Sequence, residues 1–265
     1  MAENTQSPNL RVIFVGIGGA TCSGKTTLAK HLRAILPGSV IVHQDDFAPP
    51  QELIPMHPVY NVQDWDDPEG AIDWPRMVKA LKEVKHCRDR IRQTGVIPPE
   101  HYSHDHLNEQ REVPVEQPRI ERWRETFQRI QEERERAGEK VVWVMIDGFL
   151  LYWDQGVVDN FDVRIFLRVP HAVLKQRRDD RNGYHTAAQS DPEGGFWQDP
   201  PEYWEQIVWP AYVKAHSQLL DGEDLDKAKP SGKVQDLMII EGLEQSIGET
   251  IDVICERLVR TVERA

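Results

Sequence analysis

Starting at Phe14, the run FVGIGGATCSGKTTLAKHL passes from an apolar segment through a glycine-rich turn into a helical pattern. Within it, Gly19 to Thr26 reads GATCSGKT and fits G-x-x-x-x-G-K-[ST], placed after a strand and at the start of a helix, where that motif works. The glycines let the backbone wrap so that successive N–H groups point inward at phosphate oxygens, and the helix N-terminus adds a favourable dipole. Lys25 places an ammonium on the β- and γ-phosphates and the Thr26 hydroxyl ligates Mg²⁺. The expected nucleotide contacts are therefore Gly19, Ala20, Thr21, Cys22, Ser23, Gly24, Lys25, Thr26 and Thr27. The competing reading is a glycine-rich turn with a solvated lysine; the strand and helix on its flanks favour a nucleoside triphosphate site.

The rest of the chain repeats this alternation. Short β-branched or apolar runs at 11–17, 39–44, 140–147, 162–169 and 236–242 suit strands covered on both faces. Between them, 26–36, 74–92, 171–181, 201–220 and 249–264 carry apolar residues at helical spacing. The expected fold is α/β, a P-loop NTPase fold: a central parallel sheet of about five strands with helices on both faces, ligands lying beyond the carboxyl ends of the strands. One domain spans 1–265. Residues 93–139 interrupt it as an insertion, a proline-bearing polar stretch followed by a charged helix with Trp123, Phe127 and Ile130 on one face. Residues 174–204 form a lid region whose Gly-, Pro- and Asp-rich part reads as a long loop.

Composition narrows the class of ligand. The net charge of -12 over 265 residues argues against holding a nucleic acid through a basic face, so an anionic ligand needs a local site. No apolar stretch approaches the ~20 residues of a membrane span, and the polar start MAENTQSPNL lacks a signal-peptide pattern. Cys22, Cys87 and Cys255 lie far apart without metal-ligand spacing, which suits reduced thiols in a cytoplasmic protein without a membrane partner.

A phosphate loop does not by itself separate a kinase from a switch or a motor. The second strand ends in HQDDF, where Asp45 and Asp46 stand at a carboxyl end beside the phosphate loop. A carboxylate there can accept the proton of an attacking hydroxyl and sit near the metal; an N-cap or acidic turn is the plainer reading. The third strand ends in MIDGFLLY, with Asp147 at the position of a Walker-B acid. In HAVLKQRRDDR, Arg177, Arg178 and Arg181 share a helical face and can converge on one anion, or else form a surface ladder with Asp179 and Asp180.

Together GATCSGKTT, VHQDDF, IDGFLLY, LKQRRDDR and VWPAYVK resemble the nicotinamide riboside kinase family, within the P-loop nucleoside kinases that include uridine kinases. The resemblance runs over about 12–92 and 140–220. It implies transfer of the ATP γ-phosphate to the 5′-hydroxyl of nicotinamide riboside or nicotinic acid riboside, in NAD salvage, with Mg²⁺ as cofactor. By the same resemblance, Asp45 is the catalytic base, Lys25, Arg177 and Arg181 act on the phosphates, and Thr26, Asp45 and Asp147 serve the metal. Asp45, Asp46, Phe47, Trp65, Asp66, Asp147 and Arg178 face the riboside, and Glu244 and Gln245 lie near adenine. This chain differs from the family in having Ala48 where a second aromatic follows DDF, Asp147 where Glu is common, and a longer 93–139 segment. Trp65, a large ring suited to a cationic heterocycle, can compensate for Ala48.

Three other features are read as structural. HYSHDH at 101–106 has chelating residues but no second ligand cluster. Cys22 fills a position that needs a small residue, and Pro210 after Trp209 kinks a helix, where the pair packs the core or else shapes the nucleoside pocket. The alternatives to a pyridine riboside kinase are a uridine or cytidine kinase, or an NTP-binding regulatory protein. The latter would call for guanine-reading sequence such as N-K-x-D, which is absent.

Overall fold

The computed structural model describes residues 9–87, 91, 97–98, 103, 113–181, 183–185, 196–222 and 224–264. Five strands, β1 (Asn9–Gly19), β2 (Val40–His43), β3 (Glu139–Gly148), β4 (Val163–Arg168) and β5 (Leu237–Glu241), form one sheet in the order β2-β3-β1-β4-β5. Every pairing is parallel. The longer helices among the described residues are α1 (Lys25–Ile35), α2 (Trp74–His86), α3 (Gln117–Arg136), α4 (His171–Asp179), α5 (Trp209–His216) and α6 (Ile247–Glu263). The expected α/β fold is thus the observed one, with each of the five expected strands within two residues of its place.

Strand alternation divides the interior into two cores. On one face Ile13, Val15 and Ile17 of β1 and Val141, Trp143 and Met145 of β3 meet Leu28 and Leu32 of α1 and Ile251 and Leu258 of α6. On the other, Phe14, Val142, Val144 and Ile146 meet Met77 and Leu81 of α2. The two-residue period that sends Val141, Trp143 and Met145 toward α1 sends Asp147 there too. That parity decides what Asp147 can touch.

The charged helix expected in 93–139 is α3, and it packs into the first of these cores. Phe127 is 1% exposed and meets Trp143 edge-on at 5.6 Å. Trp123 donates its indole N–H to Asp252 of α6 at 2.6 Å, and Arg119 and Arg122 pair with the same carboxylate. Burying the Phe127 ring contributes about 1.5–3 kcal/mol, and Gly138 (φ 81) ends the segment in a left-handed turn.

The expected helix over 201–220 divides into a π-helical turn, Trp204–Val208, running into α5. Pro210 sits at the first turn of α5, where its missing N–H is tolerated. The wider turn before it takes up the irregularity expected as a kink. Helix α6 is closed at its start by a reciprocal pair, Ser246 Oγ on the Glu249 N–H and the Glu249 carboxylate on the Ser246 N–H. No helix among the described residues is long and apolar enough to cross a membrane.

Candidate active site

The phosphate loop takes its form from backbone freedom. Gly19 and Gly24 have φ 142 and 99, and Cys22 lies at φ 61 between them. A Cβ on Gly19 would stand 2.5 Å from the Leu167 carbonyl oxygen, so the strand can turn there only without a side chain. Gly24 leads directly into α1, whose first turn carries no acidic residue, leaving its N–H groups and dipole for an anion. Lys25 is 9% exposed and folds back to donate to the Ala20 carbonyl at 2.7 Å. Burial lowers its pKa from the ordinary lysine value, against the raising pull of Asp147 and Asp45. Thr21, Cys22 and Thr27 are half-buried around the loop, and the buried Ser23 Oγ has no hydrogen-bond partner among the described residues.

Across the sheet edge, Thr26 at the start of α1 donates to Asp147 Oδ2 at 2.5 Å. The other oxygen of Asp147 meets His43 Nδ1 at 2.5 Å. His43 and Asp147 are register partners on β2 and β3, 6% and 4% exposed. Burial would push the Asp147 carboxyl up, but the hydrogen bond and charge of His43, with Thr26 and Lys25, hold it below the usual range. Burial is the largest influence on His43 and opposes its charge, but the bond to Asp147 and the charges of Asp147, Asp45 and Asp46 together outweigh it and raise the imidazole pKa. His43 was not among the sequence-derived candidates. Its only sequence signal is a polar residue at the end of a short apolar strand, in step with Ile41.

The QDDF segment follows as a single turn of 3₁₀-helix, Gln44–Phe47. Asp45 is exposed at the strand end, near Lys25, whose ammonium it influences. Asp46 accepts from Ser103 Oγ, and the same Ser103 oxygen accepts the His43 N–H at 2.7 Å. Arg76 of α2 holds the turn from below, donating to the carbonyls of Asp46 and Ala48, both at 3.0 Å. Phe47 is 9% exposed, belongs to the core with Trp74 and Met77, and has the Arg76 guanidinium 5.3 Å over its ring. Phe47 thus packs inward and supports the turn, with Arg76 on one face of its ring.

The three arginines of 177–181 divide as the family resemblance implies, and do not converge on one anion as their shared helical face would also allow. Arg177, exposed, donates to the Cys22 carbonyl of the phosphate loop at 3.1 Å, and exposed Arg181 lies close enough to bear on Lys25. Arg178 is 7% exposed and turns the other way, gripping Asp199 at 2.6 and 3.0 Å with Asp66 Oδ2 at 3.8 Å. A 100° step per residue sends neighbours 177 and 178 to different surroundings. The Trp197 indole donates to the same Asp199 at 2.9 Å and its ring lies 6.1 Å from Trp65, while the Tyr203 hydroxyl accepts the backbone N–H of Trp65 at 3.2 Å. Asp66 is buried; burial raises its carboxyl to about 6 although Arg178 pulls it down. Asp199 and Trp197 had no legible spacing to Arg178, being held by the fold alone.

A narrow cavity opens between the two groups, lined by Ala20, Thr21, Asp66, Phe149, Trp204 and Tyr212. Glu244 and Gln245 occupy the turn after β5, which is tied to β4 by the Gly242 N–H on the Arg168 carbonyl at 2.8 Å; Gln245 bonds Thr250 at 3.1 Å. His101, His104 and His106 and lid residues 186–195 lie outside the described residues. No cluster of three or more metal-ligating side chains occurs among the described residues. Mg²⁺ needs no such cage, since one or two carboxylates with substrate phosphates hold it. The donor set fits that cation: Thr26 spends its hydrogen on Asp147 and keeps its lone pairs, and Asp45 adds a hard, exposed carboxylate.

No family model matches the chain. Curated relatives do: a nicotinamide riboside kinase of Schizosaccharomyces pombe is 35% identical over 234 residues, 84% of this chain and 91% of the relative. One of Eremothecium gossypii is 32% identical over 225 residues, 85% and 84% of the two chains. One of Saccharomyces cerevisiae is 29% identical over 253 residues, 94% and 97%.

Proposed function

This chain belongs to the nicotinamide riboside kinase family, and from that premise we propose that it transfers the γ-phosphoryl group of ATP to the 5′-hydroxyl of nicotinamide riboside, in NAD salvage. We take nicotinic acid riboside as a second acceptor and the cytoplasm as the place of reaction. The observation that carries the site assignment is the carboxyl end of the sheet, where Ala20 and Thr21 of the phosphate loop line one cavity with Asp66, Arg178 stands 3.8 Å from Asp66, and the exposed Asp45 is near enough to bear on the Asp66 carboxyl.

In this reading the phosphate loop and the N-terminus of α1 bind the ATP phosphates, and Lys25 moves its ammonium from the Ala20 carbonyl to the β- and γ-oxygens. Asp66, acceptor-only when ionised, takes the ribose hydroxyls, and Trp65 lies against the cationic ring. Asp45 orients the 5′-hydroxyl and accepts its proton as the new O–P bond forms and the bond to the β-phosphate oxygen breaks, releasing ADP. Arg177 and Arg181 close over the phosphates, exclude water and offset the charge spread on the transferring group. Glu244 and Gln245 stand on the adenine side. Thr26 and Asp45, with Asp147 behind them, would hold Mg²⁺, which when bound neutralises phosphate charge. Asp147 then serves beside Thr26 and not on the riboside, because both of its oxygens are turned to protein partners. Positioning and electrostatics suffice for such a reaction.

Coupled ADP release tests this, with Mg·ATP and a panel of nicotinamide riboside, nicotinic acid riboside, uridine and cytidine. Nicotinamide riboside should lead, EDTA should abolish turnover, and Asp45→Asn should lose at least ~10²-fold in kcat while still binding ATP. A faster pyrimidine nucleoside would move the assignment to a uridine or cytidine kinase. Absence of any acceptor-dependent release would remove the kinase reading.

A further inference from the structure

His43 takes no direct part in the scheme above, yet it is joined to its centre. Asp147 is buried, and a buried carboxylate is stable only when both oxygens are paired. The Asp χ2 torsion is broad and two-fold, so the single bond from Thr26 leaves the carboxylate plane free to turn. The bond from His43 Nδ1 to the other oxygen removes that freedom. Strand register enforces the contact, since His43 and Asp147 are paired residues of adjacent parallel strands. The backbone of His43 is held in turn by its amide N–H on Ser103 Oγ.

We propose that His43 is a positioning residue for phosphoryl transfer: by locking Asp147 it orients the Thr26 hydroxyl so that its hydrogen points inward and its lone pairs face the phosphates and their metal. This rests on the reading of Thr26 and Asp147 as the metal-side pair. Asp147 with one partner would rock, and the Thr26 oxygen would be divided between donating orientations. Binding of the riboside, which this reading gives to Asp66, Trp65 and Arg178, is untouched. The role therefore belongs to a partner that shapes a ligand without contacting the reacting atoms.

The test uses the full chain with His43→Leu, which fills the space without a donor, and His43→Asn, whose amide N–H can stand where Nδ1 stood. For His43→Leu we expect kcat to fall about 10–100-fold, the range for such partners, with KM for nicotinamide riboside within about twofold of wild type. His43→Asn should recover most of the loss. A second readout is independent of turnover: fluorescent ATP-analogue binding with and without Mg²⁺. Metal-free affinity should be equal in all three proteins, and the gain on adding Mg²⁺ should be lost in His43→Leu and kept in His43→Asn. Wild-type turnover in His43→Leu, or equal damage in both variants with equally lowered melting temperatures, would reduce His43 to packing. If wild type shows no riboside-dependent ADP release, the functional reading fails, and the Mg²⁺-dependent binding series still decides for or against His43.

Discussion

Arg178 and Asp199 form a two-pronged ion pair inside the protein, with nitrogen to oxygen distances of 2.6 and 3.0 Å, and the same Arg178 Nη2 stands 3.8 Å from Asp66. Asp199 lies 21 residues after Arg178 and Asp66 in the loop after β2, so one guanidinium ties two segments remote in sequence.

Asp199→Ala strips Arg178 of its bidentate partner and leaves a nearly buried cation with Asp66 at 3.8 Å. Urea unfolding should show a loss of about 2 kcal/mol, below the 3–5 typical when a fully buried pair is broken, because Asp66 remains. In the kinase assay KM for nicotinamide riboside should rise while KM for ATP stays within about twofold. An unchanged riboside KM would separate this pair from substrate binding.

Asp66 should set the acid limb of catalysis. Its carboxyl is raised to about 6 by burial, so the acceptor form needed for ribose hydroxyls is lost below that pH. kcat/KM for nicotinamide riboside should fall about tenfold per pH unit below 6, and Asp66→Asn should flatten that limb at a low level. The same shift costs stability as pH rises from about 4 to 6, where the unfolded chain has already released the proton that the folded one keeps. A pH series of melting temperatures on the ligand-free protein should show this decline in wild type and not in Asp66→Asn.

Lys25→Met should separate function from stability. The ammonium is buried at a desolvation cost large enough to lower its pKa, so an apolar chain of similar length should leave the melting temperature equal or higher. Turnover should drop by at least ~10²-fold, as expected when a charge aimed at the transferring group is removed. Retained activity would place the phosphates elsewhere.

Phe127→Ala tests whether α3 belongs to the core that holds the site. The ring is 1% exposed against Trp143, so unfolding measurements should show a loss of about 3–5 kcal/mol, while kcat per folded molecule changes little. A loss under about 1 kcal/mol would make α3 an appendage.

Much of this was legible in the chain. The phosphate loop, the five strands and the strand-end acids Asp45 and Asp147 follow from local rules: glycine where the backbone must turn, β-branched runs where both faces are covered, and period-two alternation. The amphipathic face of Trp123, Phe127 and Ile130 was equally plain. The burial of Phe47 was not legible, because a motif neighbour and a core residue look alike until the packing is known. Helical spacing alone allowed the three arginines to converge, and only the family resemblance set Arg178 apart from Arg177 and Arg181, because spacing shows a shared face but not what lies opposite each side chain.

By itself the sequence determined the kind of fold and which end of the sheet carries the chemistry, because those depend on interactions between residues a few positions apart. Only tertiary structure decided which groups face one another there. His43 and Asp147 are 104 residues apart and meet through strand register. Arg178 and Asp199 meet across 21 residues of lid, and Arg76 reaches the QDDF turn from a different helix. Such pairings are set by how two cores pack on one sheet, and no spacing along the chain encodes them.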